Sequence, residues 1–163
     1  MKVANRVVAA MLALVAAPAV AKQPKVGEMA PAAELTLVDG RKVALTDLRG
    51  QVVVLNFWAT WCGPCRTELP TLDAYYELQK QHGLQVFAIT TEDSLPLYRL
   101  RKLFAAMHMP AAKRVKGPYS DVTAVPTNYV IDRGGRIRYM KAGVFDLDGL
   151  NTVLVPLLKE PAG

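Results

Sequence analysis

Apolar side chains along the chain fall into two kinds of run, which predict strands and helices. Residues 52–58 are apolar at every position except Asn56, and this nearly continuous pattern predicts a strand buried on both faces. Residues 84–90 form a second strand-like run. Residues 67–81 and 94–107 carry apolar side chains at helical spacing and predict helices. The alternation of strand and helix indicates an α/β domain with parallel central strands.

Turn residues between further strand-like runs predict two antiparallel hairpins. Asp39-Gly40 is a pair that favours positive φ and tight turns, and it separates residues 34–38 from residues 42–45. An Arg-Gly-Gly turn separates residues 127–132 from residues 136–141. We therefore expect antiparallel strands in addition to the parallel pair.

Proline and glycine limit the predicted helices. Pro70 lacks an N–H group and should kink the first helix, which Gly83 then ends in a left-handed conformation. A last helix, capped by Asp146, should be interrupted near Pro156. Pro110 is expected to mark the end of the second helix, after which residues 111–116 lead toward a loop at Gly117-Pro118.

The first twenty-one residues have the pattern of a secretory signal peptide. Lys2 and Arg6 precede an apolar stretch over residues 7–20, and Ala21 is the predicted cleavage site. An uncleaved membrane anchor is the competing interpretation, but the apolar stretch is shorter than the roughly 20 residues that cross a bilayer. No cysteine follows, so lipid attachment at that site is excluded. We expect a periplasmic protein, with a membrane anchor if the leader is retained.

Length and charge complete the outline of the chain. Its 163 residues suit a single domain with a proper core, which we place at residues 34–160 after a polar tether over residues 22–33. The net charge of +6 falls to +4 without the two basic residues of the leader, and the remaining basic residues are mostly scattered. We expect a monomer with no nucleic-acid partner.

Candidate chemistry centres on Cys62 and Cys65, the only two cysteines. They lie after the predicted strand over residues 52–58, at the start of the helix that follows it, where unpaired N–H groups lower the pKa of a thiol. Three residues apart, they share a helical face and can close a short disulfide ring. A structural disulfide usually closes a long loop, and a structural zinc site needs four ligands. The spacing therefore favours a redox-active pair without a metal or cofactor.

Two segments carry a resemblance to a known family. Residues 56–66 resemble the active-site segment of the thioredoxin superfamily, and more narrowly that of exported TlpA-like and ResA-like thiol-disulfide oxidoreductases, which are related to the redoxins. Residues 124–132 resemble the family segment in which a cis-proline precedes a strand. The resemblance covers roughly residues 30–158. It implies a thioredoxin fold, a mixed sheet flanked by helices, with an added N-terminal β-hairpin and an inserted strand-helix unit.

The resemblance also implies roles for particular residues. A cis Pro126 would bring the backbone of Val125 beside the Cys62 sulfur, where its N–H and C=O can pair with an extended client peptide. Trp61, Gly63 and Pro64 would complete the client-binding surface around the cysteines.

Glu92 is the candidate proton acceptor. It follows the strand-like run over residues 84–90, at the end of a sheet where open α/β proteins place their sites. ResA-like proteins imply a glutamate after this strand, and a desolvated carboxylate there would take the proton of Cys65. The alternative is that Glu92 caps the next helix together with Asp93. For Asp93 and Ser94 we expect capping and no catalytic role.

The predicted function is exported thiol-disulfide exchange, in which Cys62 attacks a client disulfide and Cys65 resolves the mixed disulfide. The Gly-Pro pair between the cysteines resembles thioredoxin, whose potential is near ~−270 mV, whereas DsbA lies near ~−120 mV. We therefore expect a reductase that an inner-membrane thiol donor recharges. The resemblance implies clients in cytochrome c maturation or cuproprotein assembly.

Three alternatives remain open at this stage. A redoxin-type thiol peroxidase would use one cysteine on peroxide. Such enzymes resemble a Thr-x-x-Cys pattern, whereas this chain has Cys62 at the first position of that pattern. A periplasmic disulfide oxidant would run the same chemistry in reverse. A copper carrier would bind Cu(I) through the cysteines, and Met107-His108-Met109 also offers soft ligands, although methionine is a common core residue.

Overall fold

The computed structural model describes residues 24–94, 96–119 and 122–161. In these residues seven strands form one sheet in the order β2-β1-β5-β4-β3-β6-β7. The strands are β1 Glu34–Leu37, β2 Lys42–Ala44, β3 Val52–Trp58, β4 Leu84–Thr90, β5 Ala111–Lys116, β6 Thr127–Ile131 and β7 Ile137–Ala142. The helices are α1 Gly63–Gln79, α2 Arg101–Ala106 and α3 Leu147–Lys159.

Strand β3 lies inside the sheet, as its apolar sequence predicts. It pairs in parallel with β4 over its whole length and antiparallel with β6. All seven of its residues are buried. Outside this core, β4 and β5 are parallel, whereas the pairs β1–β5, β1–β2 and β6–β7 are antiparallel. The predicted mixed sheet and both predicted hairpins are confirmed.

Alternation along β3 divides the core into two layers. Val52, Val54 and Trp58 pack in the cluster that contains the buried residues of α1 and α3. Val53, Leu55 and Phe57 pack in the other cluster, with residues from β1, β5 and β6. Asn56, the one polar residue of the strand, falls by this alternation on the α1 side.

Residues 111–116 form strand β5, which the sequence analysis missed. Its neighbours supply hydrogen-bonding partners on both sides, since β5 pairs with β4 and with β1. Ala111, Ala112 and Val115 are buried, while the three basic side chains are exposed. Its small and charged side chains do not form a strand-like apolar pattern, and the strand is stabilised by backbone pairing within the sheet.

The predicted helix over residues 94–107 is also wrong in its first half. Regular α-helix covers only Arg101–Ala106, after a 3-10 turn at Leu97–Leu100. Pro96 directly before that turn has extended backbone. Asp93 and Ser94 are therefore not helix caps, and their side chains bond Trp61 and the backbone of Thr60 instead.

The other predicted helix limits are mixed in outcome. Helix α1 begins at Gly63, earlier than predicted, and runs through Pro70 as one element. Gly83, with φ of 83°, ends the 3-10 turn that follows it, as predicted. Asp146 caps α3 by accepting the Gly149 N–H at 2.9 Å, but the predicted interruption at Pro156 is wrong, because the helix continues to Lys159.

Part of the predicted tether lies on the sheet. The Gly27 N–H donates to the Ile137 carbonyl at 2.8 Å, and the Ile137 N–H donates to the Glu28 carbonyl at 2.9 Å. The predicted signal peptide, residues 1–21, lies outside the described residues. Among the helices of residues 24–94, 96–119 and 122–161, none is long and apolar enough to cross a membrane.

Candidate active site

The two cysteines lie where β3 passes into α1. Cys62 is the N-cap residue of α1, and its sulfur accepts the Cys65 N–H at 3.1 Å. The two sulfurs form a disulfide of 2.09 Å, with the Cα atoms 5.3 Å apart. The redox pair that the spacing predicts is thus present in its oxidised form, at a helix N-terminus whose N–H groups stabilise a thiolate after reduction.

The two cysteines of the disulfide differ in solvent exposure. Cys62 keeps 4% of its surface exposed, whereas Cys65 is completely buried. Trp61, directly before the pair, is 61% exposed. Apart from its chain neighbours and the backbone of its own helix, no atom of the described residues lies within 4 Å of the place where a side chain on Gly63 would begin, so the approach past Gly63 is open. Cys62 is therefore the more accessible of the two cysteines, and Cys65 is shielded from solvent.

The loop before β6 forms the next part of the site. The Val125–Pro126 peptide bond is cis, as the resemblance implies. The Pro126 carbonyl accepts the Gly143 N–H at 2.8 Å, and the Thr127 hydroxyl donates to the Ala124 carbonyl at 2.8 Å. Val125 is half-buried and packs against the cluster that contains both cysteines. The loop is thus held from two sides, next to the disulfide.

A groove opens beside Trp61. Its volume is about 380 Å³, and its lining includes Trp61, Glu92 and Val125. The indole N–H of Trp61 donates to Asp93 at 2.9 Å, which holds the ring toward the loop that follows β4. Further charged side chains in the lining are the basic residues Lys113 and Arg114. The structure thus brings three of the sequence-predicted residues to one groove.

Glu92 does not have the environment that the sequence predicts. Its side chain is exposed, so the desolvation expected at this carboxylate is absent. A proton-transfer role for Glu92 stays a prediction, and in that role its carboxylate would be in contact with solvent.

Glu68 is the buried carboxylate of the site, and the sequence analysis missed it. It lies on α1, one turn after Cys65, and only 1% of its surface is exposed. It accepts N–H groups from Asn56 at 3.0 Å, Asn128 at 2.7 Å and Phe145 at 2.6 Å. Burial raises the pKa of Glu68, although these three hydrogen bonds oppose the shift.

Two sequence signals point to Glu68. Three positions after Cys65, it shares that residue's helical face, and it directly precedes the buried Leu69. Asn56 interrupts an otherwise apolar strand, and a buried amide requires polar partners. A buried polar residue in β3 and a carboxylate on the covering helix together predict a hydrogen-bonded pair.

In the segment Met107-His108-Met109, considered above for copper, hydrogen bonds are made to Asp73. His108 Nδ1 lies 2.9 Å from Asp73, and the Asp73 carboxylate also accepts the backbone N–H groups of His108 and Met109, each at 2.8 Å. Hydrogen bonding and then the charge of Asp73 raise the pKa of His108. In the part of the chain that the structure describes, no three His, Cys, Asp or Glu residues are grouped to hold a metal ion.

A disulfide at a helix N-terminus beside a cis-proline loop, on a mixed sheet with parallel central strands, defines a thioredoxin-fold thiol-disulfide oxidoreductase. Comparison with known proteins agrees. The chain belongs to the AhpC/TSA family, which it matches over residues 26–140.

Named relatives carry the same chemistry. The chain is 32% identical over 118 residues to the thiol-disulfide oxidoreductase ResA of Bacillus cereus, covering 69% of this chain and 67% of that protein. It is 35% identical over 124 residues to the thioredoxin-like protein YneN of Bacillus subtilis, covering 72% and 71%. A solved Chlorobium tepidum chain assigned as thiol:disulfide interchange protein DsbE matches with a TM-score of 0.69 and 29% identity, over 83% of this chain and 99% of that one.

These findings confirm the TlpA/ResA-like identification and the thioredoxin fold. The protein is a thiol-disulfide oxidoreductase, and Cys62 and Cys65 form its redox disulfide.

Proposed function

We propose that the protein reduces disulfides of client proteins outside the cytosol and is recharged by a membrane thiol donor. The observation that carries the proposal is the asymmetric pair at the start of α1, with Cys62 slightly exposed and Cys65 fully buried. An attacking thiolate must meet the client, whereas a resolving thiol needs only to meet its neighbour. The Gly-Pro pair between the cysteines supports the reducing direction.

The reaction begins with the dithiol form. The Cys62 thiolate attacks one sulfur of the client disulfide, forming a Cys62–client disulfide and breaking the client's own S–S bond. The released client thiolate takes a proton from water. Cys65 then loses its proton and attacks the Cys62 sulfur, which breaks the mixed disulfide and releases the second client thiolate. Two electrons pass to the client, and the protein is left with the Cys62–Cys65 disulfide.

Client binding falls to the exposed side of the site. The Val125 backbone offers an edge for an extended client segment, and Trp61 flanks the groove into which a client side chain fits. Trp61, Gly63, Pro64 and Val125 form the contact surface in this proposal.

Proton transfer during resolution falls to the buried side. Glu68 lies one helical turn from Cys65, and its burial favours the protonated carboxyl group. A buried carboxylate with a raised pKa accepts the Cys65 proton when that thiol must become a nucleophile. Glu92 is the alternative acceptor, reached through solvent.

Location and partners rest on the sequence. The pattern of residues 1–21 supports export, and the lack of any further cysteine means that the oxidised protein must obtain electrons from another thiol protein. We propose an inner-membrane donor, with clients in cytochrome c maturation or cuproprotein assembly.

The test is the reduction potential of the Cys62/Cys65 pair, measured by equilibration with a dithiothreitol or glutathione series and read by Trp61 fluorescence. A value near that of thioredoxin, about −270 mV, supports the reductase, and a value near about −120 mV makes the protein an oxidant. The Cys65→Ser variant should accumulate a client mixed disulfide through Cys62. If this variant instead consumes hydrogen peroxide in the presence of an added thiol, the peroxidase alternative replaces the proposal.

A further inference from the structure

Two carboxamides hold Glu68 beneath the active site. Asn56 on β3 and Asn128 on β6 are direct partners in the strand register, and both are completely buried. The Asn56 side-chain N–H group donates to Glu68 Oε2 at 3.0 Å and to Asn128 Oδ1 at 2.9 Å. The Asn128 side-chain N–H group donates to Glu68 Oε1 at 2.7 Å. The three side chains therefore form one closed cluster between the sheet and α1.

The two oxygens of Glu68 are not equivalent. Oε1 accepts two hydrogen bonds, from the Asn128 side chain at 2.7 Å and from the Phe145 backbone at 2.6 Å. Oε2 accepts one, from Asn56. A carboxylate oxygen has two lone-pair positions, so both positions of Oε1 are occupied and one position of Oε2 remains. An arriving proton finds its place on Oε2, the oxygen that Asn56 holds.

Orientation of the Asn56 carboxamide is fixed by its acceptors. Both oxygens around its nitrogen, Glu68 Oε2 and Asn128 Oδ1, accept hydrogen bonds, so a rotated amide would place oxygen against oxygen. In this orientation Asn56 Oδ1 is buried and has no hydrogen-bond partner among the described residues. Leaving a buried acceptor unpaired is unfavourable, because it has lost its hydrogen bonds to water. The strand keeps a polar residue here although an apolar one would complete the core.

Uncharged donors surround the carboxylate. Cys65 lies on the same helix, and Tyr139 on β7 is close enough for the charge of Glu68 to affect its pKa. Burial, and then the charges of Glu68 and Asp146, raise the pKa of Tyr139. Among the described residues no lysine, arginine or histidine pairs with Glu68. The ionised form of Glu68 is therefore stabilised by three N–H groups, of which Asn56 supplies one.

We propose that Asn56 is a positioning residue for resolution of the mixed disulfide, holding Glu68 so that the proton leaving Cys65 arrives at Oε2. This inference rests on the proposed role of Glu68 as proton acceptor. As Cys65 attacks, its S–H bond breaks and an O–H bond forms on Glu68. The new Cys65–Cys62 S–S bond replaces the Cys62–client S–S bond, and the client leaves as a thiolate. Loss of the Asn56 donor would weaken the ionised carboxylate, because a hydrogen bond to a charged group is stronger than a neutral one.

The direct test follows the Glu68 carboxyl group itself. Its ¹³C signal, assigned by its loss in Glu68→Gln, is titrated against pH in the oxidised full-length protein and in Asn56→Leu. We expect the midpoint to move to higher pH in Asn56→Leu. The matched control is Val54→Ala, which disturbs packing two residues away on the same face of β3 and leaves the hydrogen bonds in place. An unmoved midpoint in Asn56→Leu, or an equal shift in Val54→Ala, overturns the proposal.

A second variant covers the case in which Asn56→Leu does not fold. Asn56→Asp keeps the shape but places two carboxyl groups against each other, so the pair should titrate in two steps, one of them above the wild-type midpoint. Titration of the pair in one step at the wild-type midpoint contradicts the proposal.

The reaction is measured separately, on the reduced protein with a chromogenic aromatic disulfide that releases one thiol on attack by Cys62 and a second on resolution by Cys65. At pH values below the shifted midpoint, the second release should slow by on the order of tenfold in Asn56→Leu, with little change at high pH. A shifted Glu68 midpoint with an unchanged resolution profile rejects both Asn56 and Glu68 as participants. A potential that makes the protein an oxidant would reject the reductase proposal and leave the Asn56–Glu68 coupling intact.

Discussion

Glu68 and Glu92 have the same side chain in opposite environments. Glu68 is buried between α1 and the sheet and accepts three N–H groups, whereas Glu92 is exposed in the groove that includes Trp61. Burial makes a carboxylate bind a proton more readily, whereas the exposed Glu92 side chain is open to contact with whatever enters the groove. The comparison separates the site into a buried side suited to proton transfer and an exposed side suited to client binding.

The largest effect that sharpens this comparison is expected from Glu68→Gln. The amide keeps the shape of the side chain but cannot take up the Cys65 proton, so resolution of the mixed disulfide should slow by on the order of 100-fold. Attack by Cys62 should change far less. Release of the two thiols from a chromogenic disulfide measures both steps in one trace. Glu92→Gln is the matched control, and a larger loss of resolution in Glu92→Gln would place the proton acceptor on the exposed side.

A smaller effect is expected on the pH dependence of stability. Because the pKa of Glu68 is raised on folding, the folded protein holds a proton at pH values where the unfolded chain has released it. This group therefore favours the folded state below its ordinary pKa of 4.5, and its contribution declines as the pH rises from there through the folded-state pKa. The difference in free energy of unfolding between the wild type and Glu68→Gln should decrease over this window.

Urea unfolding of both oxidised proteins across the acidic and neutral range tests this expectation. The wild type is compared with the variant at each pH so that contributions from other groups cancel. A difference that increases with pH would mean that the three hydrogen bonds outweigh burial at Glu68.

The smallest effect is expected on the exposed side. Asp93→Ala removes the acceptor of the Trp61 indole N–H, an exposed hydrogen bond that contributes about 0.5 kcal/mol. The KM for a protein disulfide should rise by roughly twofold, with kcat unchanged, because the ring is less well held for binding. Glu92→Gln, which changes the same loop without touching that bond, is the control. An equal rise in KM in Glu92→Gln would assign the effect to the charge of the loop.

Regions of the chain differed in how far their sequence predicted their structure. The run over residues 52–58 and the turn at Asp39-Gly40 gave the correct strand and hairpin, because continuous apolar residues and a turn pair are local signals. Strand β5 was missed, since its three basic side chains conceal three buried positions and its pairing with β4 and β1 is decided by the sheet. The helix predicted over residues 94–107 is regular only at Arg101–Ala106, because Pro96 is extended and a 3-10 turn follows it. The apolar spacing of that segment gave no sign of this break.

The sequence alone determined the redox pair, because two cysteines three residues apart at a helix start meet by local geometry. Only the tertiary structure decided which carboxylate is buried. Donors to Glu68 come from residues 12, 60 and 77 positions away, on β3, on β6 and before α3. Burial and hydrogen bonding of that kind arise when distant segments pack together, and they set the proton affinity of a carboxylate more than its neighbours in sequence do.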